Sequence, residues 1–281
     1  MCLLIIGGLA LASCTTTDYA RKGLLPPPIS AKAPLTVMSF NIRMGLGRKD
    51  PHRDTLRMKD QWGRNLDAVI EAIRSADPDI VGLQEVAGPG QLRDMAQALD
   101  MNHAFVGHDT GNDLPPLWGV GVLSKYPITS LTRAALSENR NFIKATVDVG
   151  TKKISVVNIH RSHLEFSEAS MPILVGELAQ IQLPIILIGD FNILPKVKMR
   201  TNPGKKQLQP ILDRFLDTAV EARTKAAANV LLVGTGQDGG RIDYVFAEKG
   251  KFSVLDAGLI AGKHRAASKH VAYFAKVIFK Q

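Results

Sequence analysis

The hydrophobic pattern changes period many times after residue 34. Residues 35–41 (LTVMSFN) alternate apolar with small or polar side chains, the period of a strand. Residues 61–75 place Leu66, Val69, Ile70 and Ile73 at helical spacing. Asp77-Pro78-Asp79 ends that helix, and 80–83 reads as a short buried strand. The pattern then predicts a helix over 91–99, strands over 120–124, 142–149 and 154–159, and a helix over 168–180. A continuous apolar strand follows over 184–188, then a helix over 208–219 and strands over 243–247, 254–259 and 271–279. Segment 45–57 is polar and contains glycine, so it reads as a loop. No repeat and no second linker interrupts this alternation. One α/β domain over 35–281 is expected, with strands paired in a sheet-on-sheet core flanked by helices.

The first 34 residues follow different rules. Residues 1–14 are uncharged, rich in Leu, Ile, Gly and Ala, and end Leu11-Ala12-Ser13-Cys14 before three threonines. The run is too short to span a bilayer and matches the apolar part of a secretory leader. Two small residues before a cysteine resemble a bacterial lipoprotein signal, which implies lipidation at Cys14. No Lys or Arg precedes Arg21, which departs from the usual basic start. An ordinary signal peptide, or a buried segment with an inert thiol, is the alternative. Thr15 in place of Asp suits the outer membrane, so the expected location is the cell envelope, facing the periplasm or the exterior. Residues 15–34 hold Pro26-Pro27-Pro28 and Pro34 and read as an extended tether.

Composition sharpens two points. Both cysteines, Cys2 and Cys14, fall in the leader, so no disulfide framework is expected. Lys and Arg total 35 against 26 Asp and Glu, a formal charge of +9 that suits an anionic partner or a solvated basic surface. The charged fraction of 22% and hydrophobic fraction of 45% exclude disorder.

Candidate chemistry clusters at strand ends. Asn41 ends the first strand, and Glu85 follows the second in Leu83-Gln84-Glu85-Val86. Asn158 and His160 end 154–159, and Asp190 and Asn192 follow the apolar run in Gly189-Asp190-Phe191-Asn192. Arg241 and Asp243 open one late strand, and Ser268 and His270 precede the last. Strand ends hold side chains rigidly at the rim of a sheet. Six such ends can converge on one pocket. Their oxygen donors suit Mg²⁺, Mn²⁺ or Ca²⁺ better than zinc.

The blocks SFNIR (39–43), DPDIVGLQEV (77–86), WGVGVLSKYPI (118–128), VVNIH (156–160), IGDFN (188–192), RIDYVF (241–246) and SKH (268–270) occur in one order. Together they resemble the endonuclease/exonuclease/phosphatase superfamily, the DNase I-like fold. The resemblance implies a four-layer α/β/β/α sandwich of two packed mixed sheets flanked by helices. It also implies metal-dependent hydrolysis of phosphate esters. Glu85 would bind the cation, with Asn41 as ligand or support. Asp190 would orient or deprotonate water, and Asn192 would hold the water or the phosphate. His160 would donate to a phosphate oxygen. Asp243 would fix the tautomer of His270, which would bind phosphate or assist proton transfer. Arg140 is a candidate phosphate contact.

One position departs from that pattern. The family reads Ser-Asp-His where this chain reads Ser268-Lys269-His270. That leaves three readings: a single-ion enzyme, a lysine that supplies charge at the phosphate, or a decayed site kept for binding. The first expectation is a monomeric nuclease, because Arg48, Lys49, Arg53, the 196–200 segment (KVKMR) and Lys205-Lys206 could meet backbone phosphates. The alternative is a phosphatase, or a phospholipase-type phosphodiesterase acting on inositol phosphates or lipid head groups.

Overall fold

The computed structural model describes residues 17–20, 33–48, 62–109, 118–137, 139–162, 169–193, 205–236 and 239–280. The leader with Cys14, most of the tether, Lys49, Arg53 and the 196–200 segment lie outside the described residues. The chain order is β1 (Thr17–Ala20), β2 (Leu35–Asn41), α1 (Leu66–Ala76), β3 (Ile80–Val86), α2 (Pro89–Leu99), β4 (Asn102–Gly107) and β5 (Gly119–Ser124). Next come β6 (Ile128–Ala135), β7 (Asn141–Val149), β8 (Lys152–His160), α3 (Ser170–Ala179), β9 (Ile185–Asp190) and α4 (Lys205–Arg214). The chain continues through β10 (Phe215–Asp217), α5 (Thr218–Glu221), α6 (Lys225–Val233), β11 (Asp243–Glu248), β12 (Phe252–Leu259) and β13 (Tyr273–Phe279).

Two mixed sheets form. One runs β1-β4-β5-β3-β2-β13-β12 and the other β10-β11-β9-β8-β7-β6. Each has one parallel pair, β2 with β3 and β8 with β9; the remaining pairs are antiparallel. The strand period of two decides which side chains fill which layer. Val37, Ile80, Val156, Ile186 and Ile188 point into the space between the sheets. Their neighbours Met38, Val81 and Leu83 meet α1 and α2 through Val69, Ile73, Leu92 and Met95. On the far side Val157, Ile159 and Leu187 meet α3 and α4 through Leu174, Leu178 and Ile211. The layers are therefore helix, sheet, sheet, helix, as expected. Covering both faces explains why the apolar run at 185–188 shows no alternation. Gly82 keeps the sheets close, because a Cβ there would lie 2.6 Å from Ile188 Cγ2.

Several boundaries differ from the sequence expectation. Thr17–Ala20, inside the stretch read as a tether, pairs antiparallel with β4 at the edge of the first sheet. An edge offers unpaired backbone groups to almost any short extended segment, so composition does not reveal it. The helix expected over 208–219 stops at Arg214, and Phe215–Asp217 pairs with β11 instead. Among the described residues no helix is long and apolar enough to cross a membrane.

Candidate active site

The C-terminal ends of both parallel pairs and the start of β11 meet at one rim. Register places His160 beside Asp190, and Asp190 beside Asp243. A bulge in β3 opposite β5, between Leu83 and Val86, puts Glu85 in the left-handed region at φ 52°. A bulge re-aims a side chain, and such strain collects at functional sites. Asn192 has φ 51°, a conformation asparagine tolerates. Gly189, at φ 155°, cannot carry a side chain, since a Cβ would lie 2.3 Å from Ile159 O.

The acids are gathered by amides. Asn41 Nδ2 lies 3.0 Å from both Glu85 Oε1 and Asp190 Oδ2, and donates to each. Its Oδ1 accepts from the Arg43 N–H at 3.0 Å. That bond fixes the amide with nitrogen toward the acids, so Asn41 aims Glu85 and Asp190 and presents them no ligating oxygen. Asp190 is 1% exposed, and its Oδ1 accepts from Asn192 N at 3.0 Å. Burial first, then the nearby Asp243, raises its pKa above the carboxylate range; His270, Asn41 and Asn192 oppose the shift. Asn192 Nδ2 donates to Arg161 O at 2.8 Å, so Asn192 also ties the β9 turn to the end of β8.

His270 faces acid on one side. Its Nδ1 lies 2.9 Å from Asp243 Oδ2 and 3.8 Å from Asp190 Oδ2. Burial pulls its pKa down, but Asp243, Asp190 and Glu85 outweigh that and raise it to about 10. Nδ1 therefore carries a proton, as expected of an Asp–His pair, and Nε2 is the atom left for substrate. Ser268 Oγ donates to Asn41 O at 2.8 Å and ties this loop to the end of β2. Thr235 Oγ1 accepts from Asp243 N at 3.0 Å. Lys269 is partly buried next to His270.

His160 closes the cluster. Its Nε2 lies 3.8 Å from both Glu85 Oε1 and Asp190 Oδ2, and its Nδ1 lies 3.2 Å from Arg140 Nη1. Arg140 is thus brought to the site, with its guanidinium 4.2 Å from the Trp118 ring centre. Trp118 falls in the 118–128 block, and its position just before a strand is the signal in the sequence that marks it. Asn158, by contrast, is a strut between the sheets. Its Nδ2 donates to Leu83 O and Gly121 O, and its Oδ1 accepts from Gln84 Nε2 at 2.7 Å.

The donors at this rim fit a divalent cation unequally. Asp190, Asp243 and His270 offer atoms all within 4.8 Å of one another. Without an ion, His270 Nδ1 is paired with Asp243 Oδ2 at 2.9 Å, and a cation among these three would have to displace that bond. Glu85 fits better: its carboxylate is 17% exposed and shares the Asn41 nitrogen with Asp190. Asp243 Oδ1 is buried without a hydrogen-bond partner, a further hard oxygen that adds to the negative field. Hard oxygens with net negative charge suit Mg²⁺, Mn²⁺ or Ca²⁺.

An α/β/β/α sandwich with acids, an Asp–His pair and a second histidine at one rim defines a class of hydrolytic enzymes. The chain belongs to the Endonuclease/Exonuclease/phosphatase family, whose match spans residues 38–264. Members of this family are hydrolases acting on phosphate ester bonds. No curated protein sequence matches the chain. Among solved structures it is similar to an endonuclease/exonuclease/phosphatase from Beutenbergia cavernae, at 21% identity over 88% of this chain and 72% of that one, with TM-score 0.67. A mannosyl-6-phosphatase of Bacteroides thetaiotaomicron matches at 22% identity, 87% and 100% coverage and TM-score 0.65. The catalytic domain of human Nocturnin, solved with bound sulfate, matches at 17% identity, 95% and 97% coverage and TM-score 0.67.

Proposed function

We propose that this phosphoesterase is metal-dependent and cleaves phosphodiesters, with a nucleic-acid backbone as its first substrate. The observation that carries the chemistry is the meeting of Glu85, Asp190 and the Asp243–His270 pair at one rim, within 3–4 Å contacts. Glu85 would hold a divalent ion, whose positive charge would be supplied to the phosphoryl oxygens. Asn41 keeps Glu85 aimed. Asp190, buried beside Asp243 and shifted toward neutral pH, orients the attacking water and accepts its proton. His270, held cationic by the acids behind it, binds a phosphate oxygen through Nε2. His160 donates to another. The +9 charge supports a polyanionic substrate.

A second reading has its own observation. Lys269 adds a cation beside His270, and a terminal phosphate carries more charge than a diester. A phosphomonoester, or an inositol or lipid head-group phosphate, is therefore the alternative substrate. Protein lacking residues 1–14 separates these readings when assayed with Mg²⁺, Mn²⁺ and Ca²⁺, with and without EDTA. The substrates are supercoiled plasmid, single-stranded oligonucleotide, inositol polyphosphate and phospholipid. EDTA-sensitive nicking supports the first reading. Turnover of inositol phosphate or lipid alone supports the second. Ligand binding without any turnover returns the decayed-site reading.

The cellular setting is proposed on the leader. Lipid at Cys14 holds a monomer on the envelope membrane. Full-length protein should enter the detergent phase, and the Cys14→Ala protein should stay in the aqueous phase. Equal partition of the two sinks the anchor.

A further inference from the structure

The two histidines of the site are backed by opposite charges. Behind His270 Nδ1 lies a carboxylate, Asp243, at 2.9 Å. Behind His160 Nδ1 lies a guanidinium, Arg140 Nη1, at 3.2 Å. A guanidinium donates and never accepts. The atom facing it must offer a lone pair, so His160 Nδ1 carries no proton and Nε2 carries one. That N–H points between Glu85 Oε1 and Asp190 Oδ2, 3.8 Å from each.

We propose that Arg140 is a positioning residue that locks His160 in the Nε2–H tautomer, making it a fixed hydrogen-bond donor to substrate. The lock is built into the fold. Arg140 immediately precedes β7, and its guanidinium lies over Trp118, which precedes β5. The Trp118 and His160 rings meet edge to face at 5.6 Å and 89°, so one indole sets both partners. The His160 side chain is 4% exposed, which keeps water from supplying the alternative tautomer with a partner. His108 steadies the same corner. Its Nδ1 accepts from the N–H of Asn141, the residue after Arg140, at 3.0 Å, and its ring packs on Trp118 at 5.0 Å. Burial first, and then Arg140, lowers the His108 pKa, so no second cation competes there.

Two consequences follow. His160 is not a metal ligand, because one ring nitrogen is protonated and the other faces a cation. And the sign of the charge behind each ring sets what its Nδ1 does: His270 Nδ1 donates to the Asp243 carboxylate, whereas His160 Nδ1 accepts from the Arg140 guanidinium.

The inference rests on the phosphoesterase reading for its kinetic consequence but not for its structural one, and the experiment separates the two. Metal-free protein labelled with ¹⁵N-histidine is examined by NMR, with His160 assigned from the signal lost in His160→Gln. Wild type and Arg140→Lys should show a protonated Nε2 and a bare Nδ1, since an ammonium also only donates. Arg140→Glu should reverse them, because a carboxylate there accepts. His270 signals that match wild type confirm that each variant is folded. In turnover, Arg140→Met should lower kcat roughly ten- to a hundredfold with KM within about threefold, and Arg140→Lys should recover most of it. A protonated Nδ1 in wild type overturns the lock. So does an unchanged tautomer in folded Arg140→Glu, or a rise in KM alone, which marks Arg140 as a phosphate contact only. A correct spectrum without phosphoesterase turnover leaves the lock standing and sinks the catalytic reading.

Discussion

Arg241 and Asp243 stand two residues apart at the start of β11, and the sequence marks both as charges opening a strand. Their surroundings differ. Arg241 meets Asp217 through two parallel bonds, Nη1 to Oδ1 at 2.7 Å and Nη2 to Oδ2 at 2.5 Å, and its guanidinium lies 4.4 Å from the Tyr244 ring centre. Burial alone would pull the Arg241 pKa down, but Asp217 more than offsets it and raises it further. This pair is matched in charge: one buried cation and one buried anion, with both carboxylate oxygens used and only the Arg241 Nε left without a partner. Asp243 shares a single bond with His270, keeps one oxygen without a partner, and sits near a second buried acid, Asp190. Here acid exceeds base, and the excess moves pKa values. A matched buried pair holds the fold together, whereas a mismatched one is poised for chemistry.

The widest separation between the two regions is in turnover. Glu85→Ala, Asp190→Ala and His270→Ala should each lower kcat by about a thousandfold or more in the assays above. Asp217→Ala protein that remains folded should keep kcat within a few fold. Wild-type-like turnover in all three site variants breaks the comparison from the catalytic side. From the structural side, Asp217→Ala leaves the Arg241 cation buried and unpaired. It should lose about 3–5 kcal/mol in urea unfolding. A loss below about 1 kcal/mol shows that Arg241 finds another partner and that the matched pair is not a structural element.

Much of this was legible in the sequence. The strand at 35–41 has its expected bounds, because both of its faces are apolar-buried and a polar site residue ends it. The strand-end rule pointed to Glu85, His160, Asp190, Asp243 and His270, which the fold gathers at one rim, and passed over His108 beside Trp118 and His160. Three kinds of feature stayed hidden. β6 is an edge strand with alternating exposure and reads as polar coil. β4 buries Asn102 and His103, and the Asn102 amide finds its partners on Ser124 O and Tyr126 O, elsewhere in the chain. Phe215–Asp217 has a helix-compatible sequence, and pairing with β11 overrides it. Pairing identities were hidden for the same reason. Nothing local tells Asn158, a strut bonded to Gly121 O, from Asn41, which aims the acids.

Proton linkage sharpens the comparison further. His270 is raised to about 10 in the folded protein, against 6.5 ordinarily. Its contribution to stability is therefore fully present below pH 6.5 and is lost as pH climbs toward 10. Metal-free protein should lose stability across that window, by at most about 1.4 kcal/mol per pH unit. His270→Gln should flatten the slope, while Asp217→Ala should lower the curve without changing its shape there. Equal slopes in wild type and His270→Gln show that the Asp243 pair carries no excess charge.

The smallest expected effect concerns Lys269, which stands beside His270 where the family resemblance led us to expect an acid. The acids around His270 already pull its proton on tightly, so the region is negative despite the lysine. Lys269→Asp removes one positive charge and adds one negative charge beside that field. A divalent ion near Glu85 should be held more tightly, and an anionic substrate less. The expected result is a few-fold lower Mg²⁺ concentration for half-maximal rate, with a few-fold higher KM. Because a terminal phosphate carries more charge than a diester, the rise in KM should be larger for a phosphomonoester than for plasmid. An equal rise for both removes the observation that favours the monoester substrate. A lower KM instead places the lysine charge away from the phosphate altogether.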